Sequence, residues 1–139
     1  LSVGPWLSEL KQAIRHDNDR EFLIDGKSYR LDSLKHVALI TKGQKVTYIS
    51  DCAPSEENVS KAIGLAKGSD TLYCEAYFLD ADRERAVERN HLTAKISGGI
   101  AREAGVNNLV LMHFSPKYRD EPNAPADEAV REWKRVDTG

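Results

Sequence analysis

After Asp51 the chain alternates short β-type runs with amphipathic helical stretches, and that alternation leaves few folds open. Lys45 to Ser50 alternates apolar and polar residues as a strand does. Ser55-Glu56-Glu57-Asn58 then opens a helix, with Ser55 as N-cap and the glutamates at its positive end. Val59, Ala62, Ile63 and Ala66 form the buried face of that helix. Thr71 to Ala76 is a strand, Asp80 to Asn90 a highly charged helical stretch, and Thr93 to Ala104 a helix closed by Gly105. Leu109 to His113 is almost continuously apolar, as in a strand buried on both faces. A turn-rich segment with Pro116, Pro122 and Pro125 leads to a last helix ending near Trp133.

The residues up to Asp51 follow another grammar. Pro5 starts a helix in which Trp6, Leu7, Leu10, Ala13 and Ile14 keep helical spacing to about His16, where Asp17-Asn18-Asp19 stops it. Asp25-Gly26 between Glu21–Asp25 and Lys27–Leu31 predicts a hairpin. Val37–Thr41 and Lys45–Ser50 predict a second one around Lys42-Gly43-Gln44. Hairpins followed by βα units predict the α/β class, at its boundary with α+β: a mixed sheet flanked by helices, in one domain spanning residues 1–139.

At 40% apolar and 30% charged residues, the composition is that of a globular protein. Runs such as Val37–Ile40 and Leu109–Met112 are far too short to cross a bilayer, so no membrane partner is expected. No secretory signal pattern is visible, although the chain begins at Leu1, and cytoplasmic residence is the expectation. A net charge of −2 provides no global attraction to nucleic acid, so RNA contact requires a local patch. Cys52 and Cys74 do not make a disulfide framework; they read as small buried hydrophobes, with zinc ligation as the alternative.

Ligands of open α/β sheets gather outside the C-terminal ends of the strands, where Asp51, Glu75 and His113 fall. A carboxylate such as Asp51 can bridge two divalent cations, an arrangement suited to phosphodiester hydrolysis. It could equally cap a turn before Pro54 and Ser55. His113 reads as a metal ligand or as a core histidine bonded to a carbonyl. Ser115, Lys117 and Tyr118 could hydrogen-bond a phosphate, or form a polar turn around Pro116. Glu75 and His91 could pair so that the imidazole is oriented and its protonated form favoured, ready to protonate a leaving oxygen, or pair only to pin a loop to the sheet. His16 and His36 read as ordinary surface or strand residues. The segment Asp80–Arg89 reads as a solvated helix face laced with i,i+4 pairs.

In combination these segments resemble ribonuclease Z and related metallo-β-lactamase-fold nucleases. The resemblance runs through Gly4–Lys11, Gly43–Asp51, Cys74-Glu-Ala-Tyr-Phe78, His91-Leu-Thr93 and Met112-His-Phe-Ser-Pro-Lys-Tyr118, in the family's order. It implies that the chain is the C-terminal βα half of a four-layer αββα fold. It also implies that Asp51 is the metal-bridging aspartate and His113 the final ligand histidine of a site for two divalent ions, zinc by expectation. Glu75 and His91 match the family's proton-transfer pair, and Ser115 and Tyr118 fall near its substrate phosphate. Three residues depart from the family's motifs: Cys74 and Tyr77 stand for His and Thr, and Leu92 stands for Ser.

No H-x-H-x-D-H motif, which supplies most of the family's metal ligands, occurs in residues 1–139. Two candidate ligands cannot hold the metals, because zinc sites take at least three from protein. The isolated chain is therefore expected to lack an intact metal site and to be inactive, its partner being the missing N-terminal half. For the complete protein the expectation is a tRNA 3′-processing endonuclease acting on pre-tRNA. The rivals are hydrolysis of a small phosphodiester or ester, and a non-catalytic binding or assembly module. An inner sheet face left bare would also drive homo-oligomerisation.

Overall fold

A computed structural model describes residues 1–136, which form two compact units, Leu1–Gly43 and the stretch from Gln44 onward. In the first unit, α1 (Trp6–His16) ends at Asp17, whose left-handed backbone lets its N–H reach the Ala13 carbonyl. Asp25 and Gly26, both at positive φ, turn β1 (Glu21–Ile24) into β2 (Lys27–Arg30) with Ile24 opposite Lys27. A single helical turn, α2 (Leu31–Leu34), follows. Leu10, Ala13, Phe22, Ile24, Leu31 and Leu34 form this unit's core.

The second hairpin is absent. Lys35–Val37 is a 3-10 turn, and β3 (Val46–Ile49) pairs in parallel with β4 (Thr71–Glu75), not with Val37–Thr41. Asp70 fixes this choice: its carboxylate accepts the Lys45 N–H at 2.8 Å, and its own N–H donates to the Lys45 carbonyl at 2.8 Å. Antiparallel and parallel pairs therefore occupy separate sheets, β1-β2 and β3-β4-β5, with β5 spanning Asn108–Met112. The fold class, α/β with helices flanking the sheet, is the expected one.

Helices α3 (Glu56–Ala66) and α5 (Ala94–Ala104) begin at Ser55 and Thr93, whose side chains cap the N–H groups of Asn58 and Ile96. A shorter helix, α4 (Arg83–Arg89), lies between β4 and α5, and α6 (Ala124–Trp133) closes the unit. The core gathers Ile49, Ala62, Ala66, Leu72, Cys74, Leu92 and Ile100. Each large aliphatic side chain buried there contributes about 1.5–3 kcal/mol. Gly98 has to be glycine, since a Cβ would sit 2.2 Å from the Ala129 carbonyl oxygen where α5 and α6 meet.

Only one face of the parallel sheet is covered. Tyr48, Tyr73 and Val110 stand opposite one another across the other face and are 65%, 38% and 38% exposed. Accordingly β5 alternates exposed and half-buried positions, although its sequence resembles that of a strand buried on both sides. Among the described residues, no helix is long and apolar enough to cross a membrane.

Candidate functional site

Three loops leave the C-terminal ends of β3, β4 and β5, and a fourth joins α4 to α5. At β3 and β5 the departure is abrupt: Asp51 and His113 adopt φ of 52° and 54°. Such left-handed backbone is uncommon outside glycine, although Asp, Asn and His are enriched there. The other non-glycine positive-φ residues, Asp17, Asp25 and Asn90, sit at helix C-caps or in the hairpin turn. The strained pair at the sheet's end thus stands out, at positions whose side chains face the chemistry.

Glu75 ends β4 and is fully buried. Its Oε1 accepts the Cys52 N–H (3.2 Å) and the Leu92 N–H (2.8 Å), while Oε2 accepts the Asp51 N–H (3.1 Å). The same Oε2 lies 3.0 Å from His91 Nδ1 and 3.1 Å from His113 Nδ1. An imidazole that donates to this oxygen does so from Nδ1–H, so one buried oxygen orients both rings, as a carboxylate does behind metal-bound histidines. Tyr77 completes the support: its ring stacks on His91 (centroids 4.0 Å apart, planes 9° apart) and meets His113 edge-on at 4.8 Å.

Asp51, Glu75, His91 and His113 each bring one ligand-type atom within 4.8 Å of the others. These four can hold a metal ion, but not equally. Glu75 already accepts three backbone N–H groups and faces both imidazoles, which leaves the exposed Asp51 carboxylate and the two imidazoles as the groups free to turn to a cation. That donor set fits a divalent cation such as zinc and falls short of closing its coordination shell. The cysteines do not compete: burial pushes the Cys74 thiol up to about 12 and raises that of Cys52 too, opposing the thiolate that a metal needs.

Ser115, Lys117 and Tyr118 lie on the loop after β5. The Ser115 hydroxyl caps a 3-10 turn by accepting the Lys117 N–H at 3.3 Å, and Lys117 forms an ion pair with Asp82. Tyr118 also donates to Asp82 and accepts the Leu79 N–H at 3.0 Å, so its hydroxyl is committed to holding two loops together. Ser115 and Lys117 line a cavity with His91; Tyr118 does not. His16 and His36 are exposed residues of the first unit.

Burial, together with the proton donated to Asp82, raises the Tyr118 hydroxyl to about 12, above its ordinary value near 10. Between about pH 10 and 12 the unfolded chain loses a proton that the folded chain keeps, so stability falls as pH rises through that window. The stability advantage of wild type over Tyr118→Phe should therefore shrink between about pH 9.5 and 11.5 in urea titrations. An advantage that grows over this range would refute the buried, donating hydroxyl.

The sequence identifies the relatives of this arrangement. It is 36% identical to ribonuclease Z of Brevibacillus brevis over 118 residues, 85% of this chain and 34% of that protein. The chain belongs among the ribonuclease Z-like sequences. It is also 40% identical to ribonuclease Z of Streptomyces avermitilis over 97 residues, 70% of this chain and 31% of that protein. The ribonuclease Z-like chain thus spans about a third of the length of the curated relatives it matches. In fold it is similar to the metallo-β-lactamase fold protein YhfI of Bacillus subtilis. That similarity has a TM-score of 0.50 and 24% identity and covers 68% of this chain and 34% of that one. No family model matches the chain.

Proposed function

We propose that this chain is the C-terminal βα half of a metal-dependent phosphodiester hydrolase of ribonuclease Z type, acting on RNA in the cytoplasm. The observation that carries the reading is the shared Glu75 oxygen, which aims two imidazoles out of the sheet's C-terminal end beside the Asp51 carboxylate.

In this reading Asp51 and His113 are this chain's ligands to a two-ion zinc centre. Bound there, the ions would supply an activated water and a positive field for the attacked phosphate. His91 is the proton donor: as the imidazolium, with Nδ1–H held by Glu75, it would give its Nε2 proton to the departing 3′ oxygen and return to the neutral imidazole. Ser115 and Lys117, which share a cavity with His91, are assigned to the substrate phosphate in this reading. The remaining ligands come from an N-terminal half carrying H-x-H-x-D-H, which seats on the bare face of Tyr48, Tyr73 and Val110. Without it the chain self-associates through that face and is inactive.

The test is to purify the chain alone and joined to such a half, then assay a pre-tRNA and a small chromogenic phosphodiester. The joined protein should cleave pre-tRNA, stop in chelator and recover with zinc, while the chain alone should do nothing. Hydrolysis by the chain alone, or chelator-resistant cleavage by the joined protein, would remove the reading. Cleavage of the small diester only would transfer the site to a small-molecule hydrolase.

A further inference from the structure

The cavity beside His91 holds charge that the chemistry above does not use. Tyr77, Arg85, Arg89, His91, Ser115 and Lys117 line about 220 Å³. Asp80–Arg89 presents the expected solvated face, with an Arg83–Asp80 ion pair, but two of its arginines stand outside that pairing. Arg85 and Arg89, one turn apart on α4, both border the cavity, and among the described residues neither has an ion-pair partner within contact distance. Lys117 is paired with Asp82, whose carboxyl is held below the usual range by hydrogen bonds from Lys117 and Tyr118 and, more weakly, by attraction to Arg85. Two guanidinium groups are left uncommitted, and no carboxylate lines the space.

We infer that this cavity is a subsite for the phosphate next to the scissile one, which makes the substrate an oligonucleotide strand and not a small diester. The inference rests on the hydrolase reading given above. Guanidinium is the side-chain group best matched to phosphate, because its planar fork bonds two oxygens at once. The volume lies below the roughly 300–1,000 Å³ of pockets that enclose a whole small molecule, so it suits one charged group of a longer ligand. Tyr77 forms a wall of the cavity and stacks on His91, so a phosphate seated there is registered against the imidazole that serves the neighbouring bond. A chain of net charge −2 binds RNA only through such a local patch.

The experiment uses the complete protein and a short fluorescein-labelled single-stranded RNA, with binding followed by anisotropy across a salt series. R85A/R89A removes the contacts to that one phosphate. The slope of log K against log salt should flatten by about 0.7 and binding at 0.1 M salt should weaken about fivefold. R85K/R89K, which keeps both charges, should recover most of the slope. In turnover, R85A/R89A should lower kcat/KM for RNA about tenfold more than for a small chromogenic diester. An unchanged salt slope, or equal losses on both substrates, would overturn the subsite. If the wild-type protein cleaves neither substrate, the hydrolase reading fails, and the salt slope still decides whether the arginines bind RNA.

Discussion

Glu75→Leu should cost the second unit about 4 kcal/mol, a large share of the roughly 5–15 kcal/mol that holds a domain of this kind together. The carboxylate has no exposed surface and takes protons from the Asp51, Cys52 and Leu92 backbones and from two imidazoles. Leucine fills the space and accepts nothing. Each buried N–H left without a partner then costs about 1–3 kcal/mol, less whatever the more exposed loops recover from water. Glu75→Gln keeps one acceptor oxygen but turns an NH2 group toward the same donors, so it should fall between leucine and wild type. Urea unfolding of the three proteins measures the series. A Glu75→Leu protein within about 1 kcal/mol of wild type would mean that the carboxylate does not gather these loops.

In the complete protein, His91→Ala should lower kcat about a hundred- to ten-thousandfold, the usual worth of a positioned acid. Metal content should stay nearly unchanged, since His91 is assigned to the leaving oxygen. Asp51→Ala should do the reverse and lose metal first. The fold should survive His91→Ala, because Glu75 retains its three backbone donors and His113. Metal analysis beside single-turnover cleavage separates the two variants. Loss of metal from His91→Ala would place that ring among the ligands and leave the leaving oxygen without a donor.

Much of the fold is legible where one residue type has one local use. Pro5 at a helix start, Asp25-Gly26 in a hairpin, Ser55 and Thr93 as caps and Gly105 as a left-handed stop all take those places. The apolar run Val37–Thr41 misleads because a strand is specified by its partner, and Asp70 assigns β3 to β4. The face of β5 is likewise undetermined by its own composition: Val110 is apolar whether or not something covers it. Within the site, the strand-end places of Asp51, Glu75 and His113 are legible from the β-type runs before them, while His91 joins them through the Glu–His pairing and the family resemblance. Three features required coordinates: both imidazoles sharing one Glu75 oxygen, Tyr77 stacked on His91, and Arg85 with Arg89 bordering one cavity. The aromatic next to a strand end was the one signal for Tyr77, and four-residue spacing the one for the arginines.

The left-handed backbone at Asp51 and His113 also narrows which metals the centre could be re-engineered to prefer. Changing a ligand's hardness normally means exchanging aspartate for glutamate, or histidine for cysteine. At these two strand ends the backbone screens every candidate before coordination chemistry does. Asparagine, aspartate and histidine tolerate the conformation, and glycine tolerates it without offering a donor. The residues that suit the main chain and those that bind a hard or borderline cation overlap in a very short list, and Asp51 and His113, the ligands proposed above, are both on it.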